Sequence, residues 1–389
     1  MIPSREPFSL YIHIPYCISK CPYCDFNSHV VSEIPEEDYT EALLRELNHY
    51  AVEDGWADRP VQTIFFGGGT PSTFKPASIG AILERVSAEF NIQADCEITL
   101  EANPGTVDRA NFSGYRAAGV NRISVGIQSF QPRLLKFLGR VHSTDEGRKA
   151  LDVVRKAGFD NFSFDLIFAN PGQTLKELEA DLDAALEFQP PHLSAYNLTF
   201  EEGTPFHYEY RSGRLQSLTE DEEVAMAELI EEKFFSAGLK RYEISNYARP
   251  GCYSRHNVNY WQSGDYLGAG AGAHSYLRLS SRPDCGKRWS NEKNPGRYIS
   301  HVRDTGEAIT DRENIDFMKA AGEFLFLGLR MTEGVSDEVF SSRFGASPRE
   351  FYRKIEIWLE GELMEEKDAY LRLTKRGLML ANSIFVEFM

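Results

Sequence analysis

The strongest constraint on the fold is an alternation that runs from the start of the chain to about residue 200. Short apolar runs rich in β-branched and aromatic residues occupy 9–15, 63–67, 97–103, 122–129, 161–168 and 192–199. Each has the length and chemistry of a strand. Between them lie stretches with apolar residues three and four apart, at 36–52, 77–90, 108–118, 144–157 and 174–188, as Leu43, Leu44 and Leu47 illustrate. That spacing predicts helices, and Gly119, Gly158 and Pro190 stand where such helices must stop. Strand, helix and strand repeated in this way give parallel strands with right-handed crossovers. About six such units predict an α/β fold, an incomplete TIM-like (β/α)6 barrel against eight in the closed form.

Past residue 200 the rhythm changes. Residues 201–214 are polar and turn-rich, 218–237 predict an acidic helix and 241–247 one more strand. The stretch 251–276 is rich in Gly, aromatic and His residues without a clear period, and 277–295 reads as a linker or loop. Helical patterns return from about 298, at 318–329 and 348–360, followed by alternation at 369–374 and a last helix at 375–386. Helices followed by a small hairpin predict a small, mainly helical, winged-helix-like C-terminal domain. The expected division is 1–240 for the barrel, 241–297 for a connecting region and 298–389 for the C-terminal domain.

Cys17, Cys21 and Cys24 form a C-x3-C-x2-C array directly after the first apolar run. Three thiols cannot pair off as disulfides without leaving one over. They can converge on an iron–sulfur cluster, and a cubane wants one ligand per iron. Three cysteines then leave one iron open to a small molecule. A closed zinc site is the alternative, with His13 or His29 as a fourth ligand. Six cysteines, three of them clustered, suit a reducing cytoplasm better than a disulfide framework. Cys96 and Cys285 read as structural or incidental. A formal net charge of −16 argues against a broad nucleic-acid surface. No apolar run is long enough to span a bilayer, and the first ten residues lack the pattern of a secretory leader.

Parallel barrels place their sites at the C-terminal ends of the strands. The second run ends in Gly67-Gly68-Gly69-Thr70-Pro71, where missing side chains let the backbone approach a ligand closely. The third delivers Glu101-Ala102-Asn103-Pro104, a carboxylate suited to an ammonium or sulfonium. The fourth ends in Gly126-Ile127-Gln128-Ser129-Phe130, an amide donor and acceptor. Arg140 follows and can fork onto a carboxylate. Asp165 lies in an apolar run and needs a partner, a ribose hydroxyl or a structural hydrogen bond. Each residue also has a plainer reading as a turn, cap or surface group.

Taken with Tyr11, these stretches resemble the oxygen-independent coproporphyrinogen oxidase branch of the radical S-adenosylmethionine (SAM) superfamily, over nearly the whole chain. The resemblance implies a [4Fe–4S] cluster held by Cys17, Cys21 and Cys24. It implies SAM contacts from Tyr11, Tyr23, Gly68, Gly69, Thr70, Glu101, Gln128, Arg140 and Asp165, with Tyr23 flanking the adenine. In that superfamily the open iron chelates the amino and carboxylate groups of SAM, and one electron releases a deoxyadenosyl radical. One departure separates this chain from the oxidases. They continue the array as C-x3-C-x2-C-x-C, whereas Asp25-Phe26 follows Cys24 here. A second feature, His256-Asn257-Val258-Asn259-Tyr260-Trp261 preceded by Tyr242 to Ala248, is similar to the haem-chaperone relatives of those oxidases.

That similarity implies a cytoplasmic carrier that binds haem and hands it to haem-requiring apoproteins. Porphyrinogen decarboxylation is then not expected. The alternative is an enzyme that oxidises a tetrapyrrole side chain. Imidazole is a common haem-iron ligand, so His256, Tyr260 and Trp261 are the candidate haem region. The plainer reading of His256 is a packed, hydrogen-bonded residue. Cys252 and His274 are further candidates. A homodimer is one option for the assembly, and docking on a membrane partner another.

Overall fold

The computed structural model describes residues 6–53, 56–279 and 286–389. Cys285 lies outside the described residues. The predicted alternation is present: β1 (Phe8–Ile14), α1 (Glu36–Glu53), β2 (Pro60–Gly68), α2 (Pro76–Glu89), β3 (Asn91–Ala102), α3 (Arg109–Ala118), β4 (Arg122–Gln128), α4 (Pro132–Phe137), α5 (Thr144–Lys156), β5 (Asn161–Phe168), α6 (Leu175–Leu186) and β6 (His192–Asn197). The strands β1 to β6 lie side by side in sequence order, every pair parallel. Parallel strands are covered on both faces and so read as nearly continuous apolar runs; seven-residue β1 is buried at every position but Tyr11. The helices are set by local chemistry. Ser143 with Glu146, and Thr174 with Glu177, make reciprocal capping boxes at the starts of α5 and α6. Gly119, at φ 114°, ends α3 in the left-handed region that favours glycine.

After α7 (Pro205–Arg211) and α8 (Glu220–Ser236) the structure departs from the sequence reading. The single strand predicted at 241–247 is a hairpin, β7 (Lys240–Arg241) and β8 (Asn246–Ala248), and β8 runs antiparallel to β6. The buried Glu243 carboxylate makes the break by accepting from the Ser245 N–H (3.0 Å) and Asn246 Nδ2 (2.5 Å). The stretch without a clear period contains α9 (Arg255–Trp261), β9 (Tyr266–Ala269) and β10 (His274–Arg278). The predicted loop at 277–295 holds β11 (Gly286–Asn291), and after α10 (Pro295–Thr305) comes β12 (Ile309–Ile315). Strand β9 pairs parallel with the free side of β1, Ser9 opposite Tyr266, and β10, β11 and β12 follow antiparallel. The sheet order is β12-β11-β10-β9-β1-β2-β3-β4-β5-β6-β8-β7, with β1 inside it. The sheet thus runs across both boundaries expected at 240/241 and 297/298.

Two buried polar knots hold this extension to the barrel. Glu46 on α1 accepts from the Gly270 N–H (2.8 Å), Asn291 Nδ2 (2.6 Å) and the Tyr298 hydroxyl (2.6 Å). Asp265, just before β9, accepts from Arg59 Nη2 (2.6 Å), and from the Arg278 N–H (2.9 Å) and Nε (3.1 Å).

The C-terminal part has its own core, with Phe324, Phe340, Phe344 and Leu371 among its buried residues. It comprises α11 (Phe317–Gly328), β13 (Val335–Ser336), α12 (Asp337–Phe344), α13 (Pro348–Phe351), α14 (Ile355–Glu360), β14 (Met364–Lys367), β15 (Tyr370–Leu373), α15 (Lys375–Met379) and α16 (Ala381–Phe385). The helix predicted at 348–360 is broken into α13 and α14, and the last helix breaks at Leu380. The three short strands form an antiparallel sheet, as a winged-helix-like module requires. No helix among the described residues is long and apolar enough to cross a membrane.

Candidate functional site

The parallel strands deliver their C-terminal ends to one mouth, and the predicted residues gather there. Tyr11 and His13 sit two apart on β1 and so share a face. Burial pushes the His13 imidazole down to about 4, so the ring is neutral. Its Nε2–H donates to the Asn27 carbonyl (2.9 Å), which leaves Nδ1 to accept from the Tyr11 hydroxyl (3.0 Å). Beyond β1 the chain closes a loop, Tyr16 pairing with His29 and Cys17 with Val30, and the loop carries Cys21 and Cys24. All three thiols are free and half-buried, and burial raises those of Cys17 and Cys24.

The loop is gripped from across the mouth. The Phe206 N–H donates to the Pro22 carbonyl (3.1 Å). Arg140 spans Cys21 Sγ (3.5 Å, from Nη1) and the Gly126 carbonyl (2.7 Å, from Nη2), and the Thr70 hydroxyl donates to Cys17 Sγ (3.4 Å). Hydrogen bonds to cysteine sulfur are what tune a cluster. No group of three or more His, Cys, Asp or Glu that could hold a metal ion occurs among the described residues. A cluster spreads its thiolates over separate irons, which three cysteines on one loop can reach. His13 is bonded through both nitrogens, and His29 Nε2 is bonded to Asn27 Oδ1 (3.2 Å). The donor set therefore fits a three-cysteine cluster with an open iron.

The glycines after β2 bring the backbone against this loop. Gly69 donates to the Ile14 carbonyl and Thr70 to the Tyr16 carbonyl (both 2.8 Å). A Cβ on Gly69 would stand 2.6 Å from that Tyr16 oxygen, and one on Gly68 would run into the His13 ring. The Gly68 N–H donates to Glu101 Oε2 (3.3 Å). Burial first, and Asp165 second, push the Glu101 carboxyl up to about 8. Asp165 is also raised, mainly by burial, against hydrogen bonds from Ser194 and Ser124 and the charges of Arg122 and Arg140. Gln128, held at φ 69°, leaves its Oε1 buried without a partner, as Arg140 does its Nε. Two buried orphan atoms, two raised carboxyls and a floor with no room for a side chain fit a ligand that is cationic at one point and polar around it, as SAM is.

Two cavities open here. One of about 1530 Å³ lies between the barrel mouth and the C-terminal part, and Tyr11, Gly68 and Glu101 line it. A smaller one of about 160 Å³ holds Asp165, Arg122 and Ser194 and shares Tyr11, Phe65, Glu101 and Tyr260 with the first. Tyr23 is half-buried near Phe206 (ring centroids 6.4 Å apart) and, with Gly69, Thr70, Gln128 and Arg140, does not line the large cavity. Arg122 and Ser194 escaped the sequence reading, and His13 entered it only as a possible zinc ligand. The signal for Arg122 was present, since it opens an apolar run as a lone charge, the pattern that singled out Asp165.

A pH dependence follows from Glu101. Its native pKa of about 8 exceeds the ordinary 4.5, so between those values the native state holds a proton that the unfolded chain has released. This contribution is full below about 4.5 and falls as pH rises through 8. Urea unfolding at pH 6 and pH 8 should show stability dropping, and Glu101→Gln should lose less over the same interval. An equal loss in the variant would remove Glu101 as a source.

His256 is packed in the way its plainer reading expects. It is 1% exposed, stacked on Phe65 (5.0 Å), with Nδ1 bonded to Thr63 Oγ1 (2.8 Å) and Nε2 to the Tyr260 hydroxyl (2.8 Å). Neither nitrogen is left for iron, and the large cavity is lined by Tyr260 and Trp261 but not by His256. His256→Ala should lower stability by about 2–4 kcal/mol through a cavity and two lost hydrogen bonds. The absorption bands of any bound haem should stay in place; a shifted Soret band would reinstate His256.

Comparison with known proteins agrees with this fold. A family model described as the radical SAM superfamily matches residues 11–185, and one for the HemN C-terminal domain matches 319–380. The chain is 37% identical to a protein named heme chaperone HemW from Haemophilus influenzae, covering 100% of this chain and 99% of that protein. It is 40% identical to its namesake from Escherichia coli, over 98% of both, and 34% identical to that of Bacillus subtilis, over 98% and 99%. Among solved structures, coproporphyrinogen III oxidase (HemN) from Escherichia coli superposes with a TM-score of 0.82 at 22% identity, covering 99% of this chain and 91% of that one. At that identity the match shows the fold.

Proposed function

Because the chain belongs to the HemW family within the radical SAM superfamily, we propose that it is a haem chaperone, binding haem and passing it to haem-requiring apoproteins. A [4Fe–4S] cluster and SAM accompany this role, and when bound they supply one-electron chemistry. In this reading Cys17, Cys21 and Cys24 hold the cluster and the residues from Tyr11 to Asp165 gather around SAM. Tyr260 and Trp261 face haem, and the C-terminal part closes the site. The chaperone would work in the cytoplasm with acceptor proteins that the chain does not name, alone or as a homodimer.

The observation that carries the reading is the large cavity beside the cysteine loop. Its volume, about 1530 Å³, exceeds the roughly 300–1,000 Å³ of common small-molecule sites. Aromatic rings from Tyr260, Trp261, Tyr266 and Phe326 line it. Phe26, which stands where the oxidases carry a fourth cysteine, also lines it and is 60% exposed.

The intact SAM constellation supports one other reading, oxidation of a tetrapyrrole side chain. One sample separates the two. Anaerobically reconstituted protein is titrated with haem, mixed with an apo-haemoprotein, and incubated with coproporphyrinogen III, SAM and a reductant. Saturable haem binding and transfer without product support the chaperone. Catalytic formation of a vinyl-bearing product would overturn it.

A further inference from the structure

We propose that His274 is the protein ligand to the iron of bound haem and that Lys20 and Lys293 receive the haem carboxylates. The site rests on the haem-binding reading above and makes it residue-specific. His274 opens β10 directly after the turn at Gly270–Ala273, and that turn is fixed from several sides. Gly270 donates to Glu46 (2.8 Å), Ala271 donates to the Tyr39 hydroxyl (2.8 Å), and Asn27 Nδ2 reaches the Ala271 carbonyl (2.9 Å) and the Lys293 carbonyl (3.0 Å). A rigid backbone therefore carries an exposed imidazole at the cavity wall. Neither ring nitrogen has a hydrogen-bond partner among the described residues, unlike those of His13 and His256, and unlike Nε2 of His29. The charged groups acting on it are Lys293, Arg288 and Asp311; burial and the two cations favour the neutral ring, the form that ligates metal.

The surroundings match the rest of a haem. Tyr276 lies two residues along β10 from His274, on the same face. Its ring is 6.2 Å from Tyr266, which is 4.7 Å from Tyr260, so three aromatic side chains make a continuous wall. Met318, Phe326 and Leu327 of α11 line the same cavity. A flat apolar macrocycle needs such walls, and its two carboxylates need cations. Four basic side chains line the cavity. Arg288 is matched by Glu313 and Glu323, and Lys319 by Glu313. Lys20 donates to the Phe26 and Ser28 carbonyls, and neither it nor Lys293 has a carboxylate partner among the described residues.

The test is haem titration of the full chain, read by absorption and electron paramagnetic resonance, with circular dichroism as a check on folding. His274→Ala should shift the Soret band and the spin state, weaken binding by at least about tenfold, and regain the original spectrum when imidazole is added. His274→Gln should behave alike. The double variant Lys20→Glu/Lys293→Glu should weaken haem but not haem dimethyl ester. If the unmodified chain binds haem and His274→Ala binds it with the same spectrum and affinity, the ligand assignment is wrong while the chaperone reading stands. If the unmodified chain binds no haem, both are wrong.

Discussion

Cys21→Ala protein, reconstituted anaerobically with iron and sulfide, is expected to show no sulfide-to-iron charge-transfer absorption. Bound iron should fall from about four atoms per chain to near zero. The three thiols sit on one closed loop, and in the proposed cluster each binds a separate iron. Losing one leaves two ligands and opens two irons to solvent, which a small cluster in water does not survive. The same change costs the fold little. The Cys21 thiol is half-buried and is hydrogen-bonded to Arg140 and Tyr23 near the rim of the mouth, so urea unfolding of the metal-free chain should move by no more than about 1–2 kcal/mol. The contrast between lost iron and retained stability is the measurement. Full iron loading in the variant would mean that another group completes the site and that the array is not the ligand set.

The largest effect on stability is expected at Asp265. Its carboxylate is 0% exposed and is shared between Arg59, itself 2% exposed, and Arg278. Arg59 also stacks over Trp56 at 4.8 Å, and its Nη1 is buried without a partner, so this guanidinium has no route to water. Removing one member of a buried ion pair leaves an uncompensated charge and costs about 3–5 kcal/mol. Asp265→Ala should therefore lower the urea midpoint steeply with an unchanged slope. Asp265→Asn, which keeps an acceptor but loses the charge, should fall between. A loss under about 1 kcal/mol for the alanine variant would show that water reaches Arg59, contrary to the packing.

Both sites differ in how far the sequence announced them. The barrel strands were legible because parallel strands buried on both faces are spelled as uninterrupted apolar runs, and β5 (Asn161–Phe168) matches its predicted span residue for residue. The cysteine loop was legible as one unit because its three thiols lie within eight residues. Strands β9 to β12 were not, since two are four or five residues long, all but one pairing in this group is antiparallel, and β11, Gly-Lys-Arg-Trp-Ser-Asn, has no apolar period. What makes them strands is pairing with distant segments. The two readings of His256 stayed open in the sequence for a related reason. Its neighbours in sequence are aromatic and polar, as at a ligand site, but its bonding partner Thr63 lies on β2, and burial of that kind has no local spelling.

The placement of β1 also sets a timetable. One of its edges pairs with β2 early, but the other waits for β9, Ser9 meeting Tyr266. At about 5–20 residues per second, a ribosome needs on the order of tens of seconds to supply that partner. Throughout that interval the strand feeding the cysteine loop keeps an unpaired apolar edge, open to mispairing with other chains. A contact that supports the cysteine loop is therefore a late and long-range one, and iron acquired before it would meet a half-built cradle. Chains released before residue 266 should aggregate through this edge even though most of the barrel strands are present.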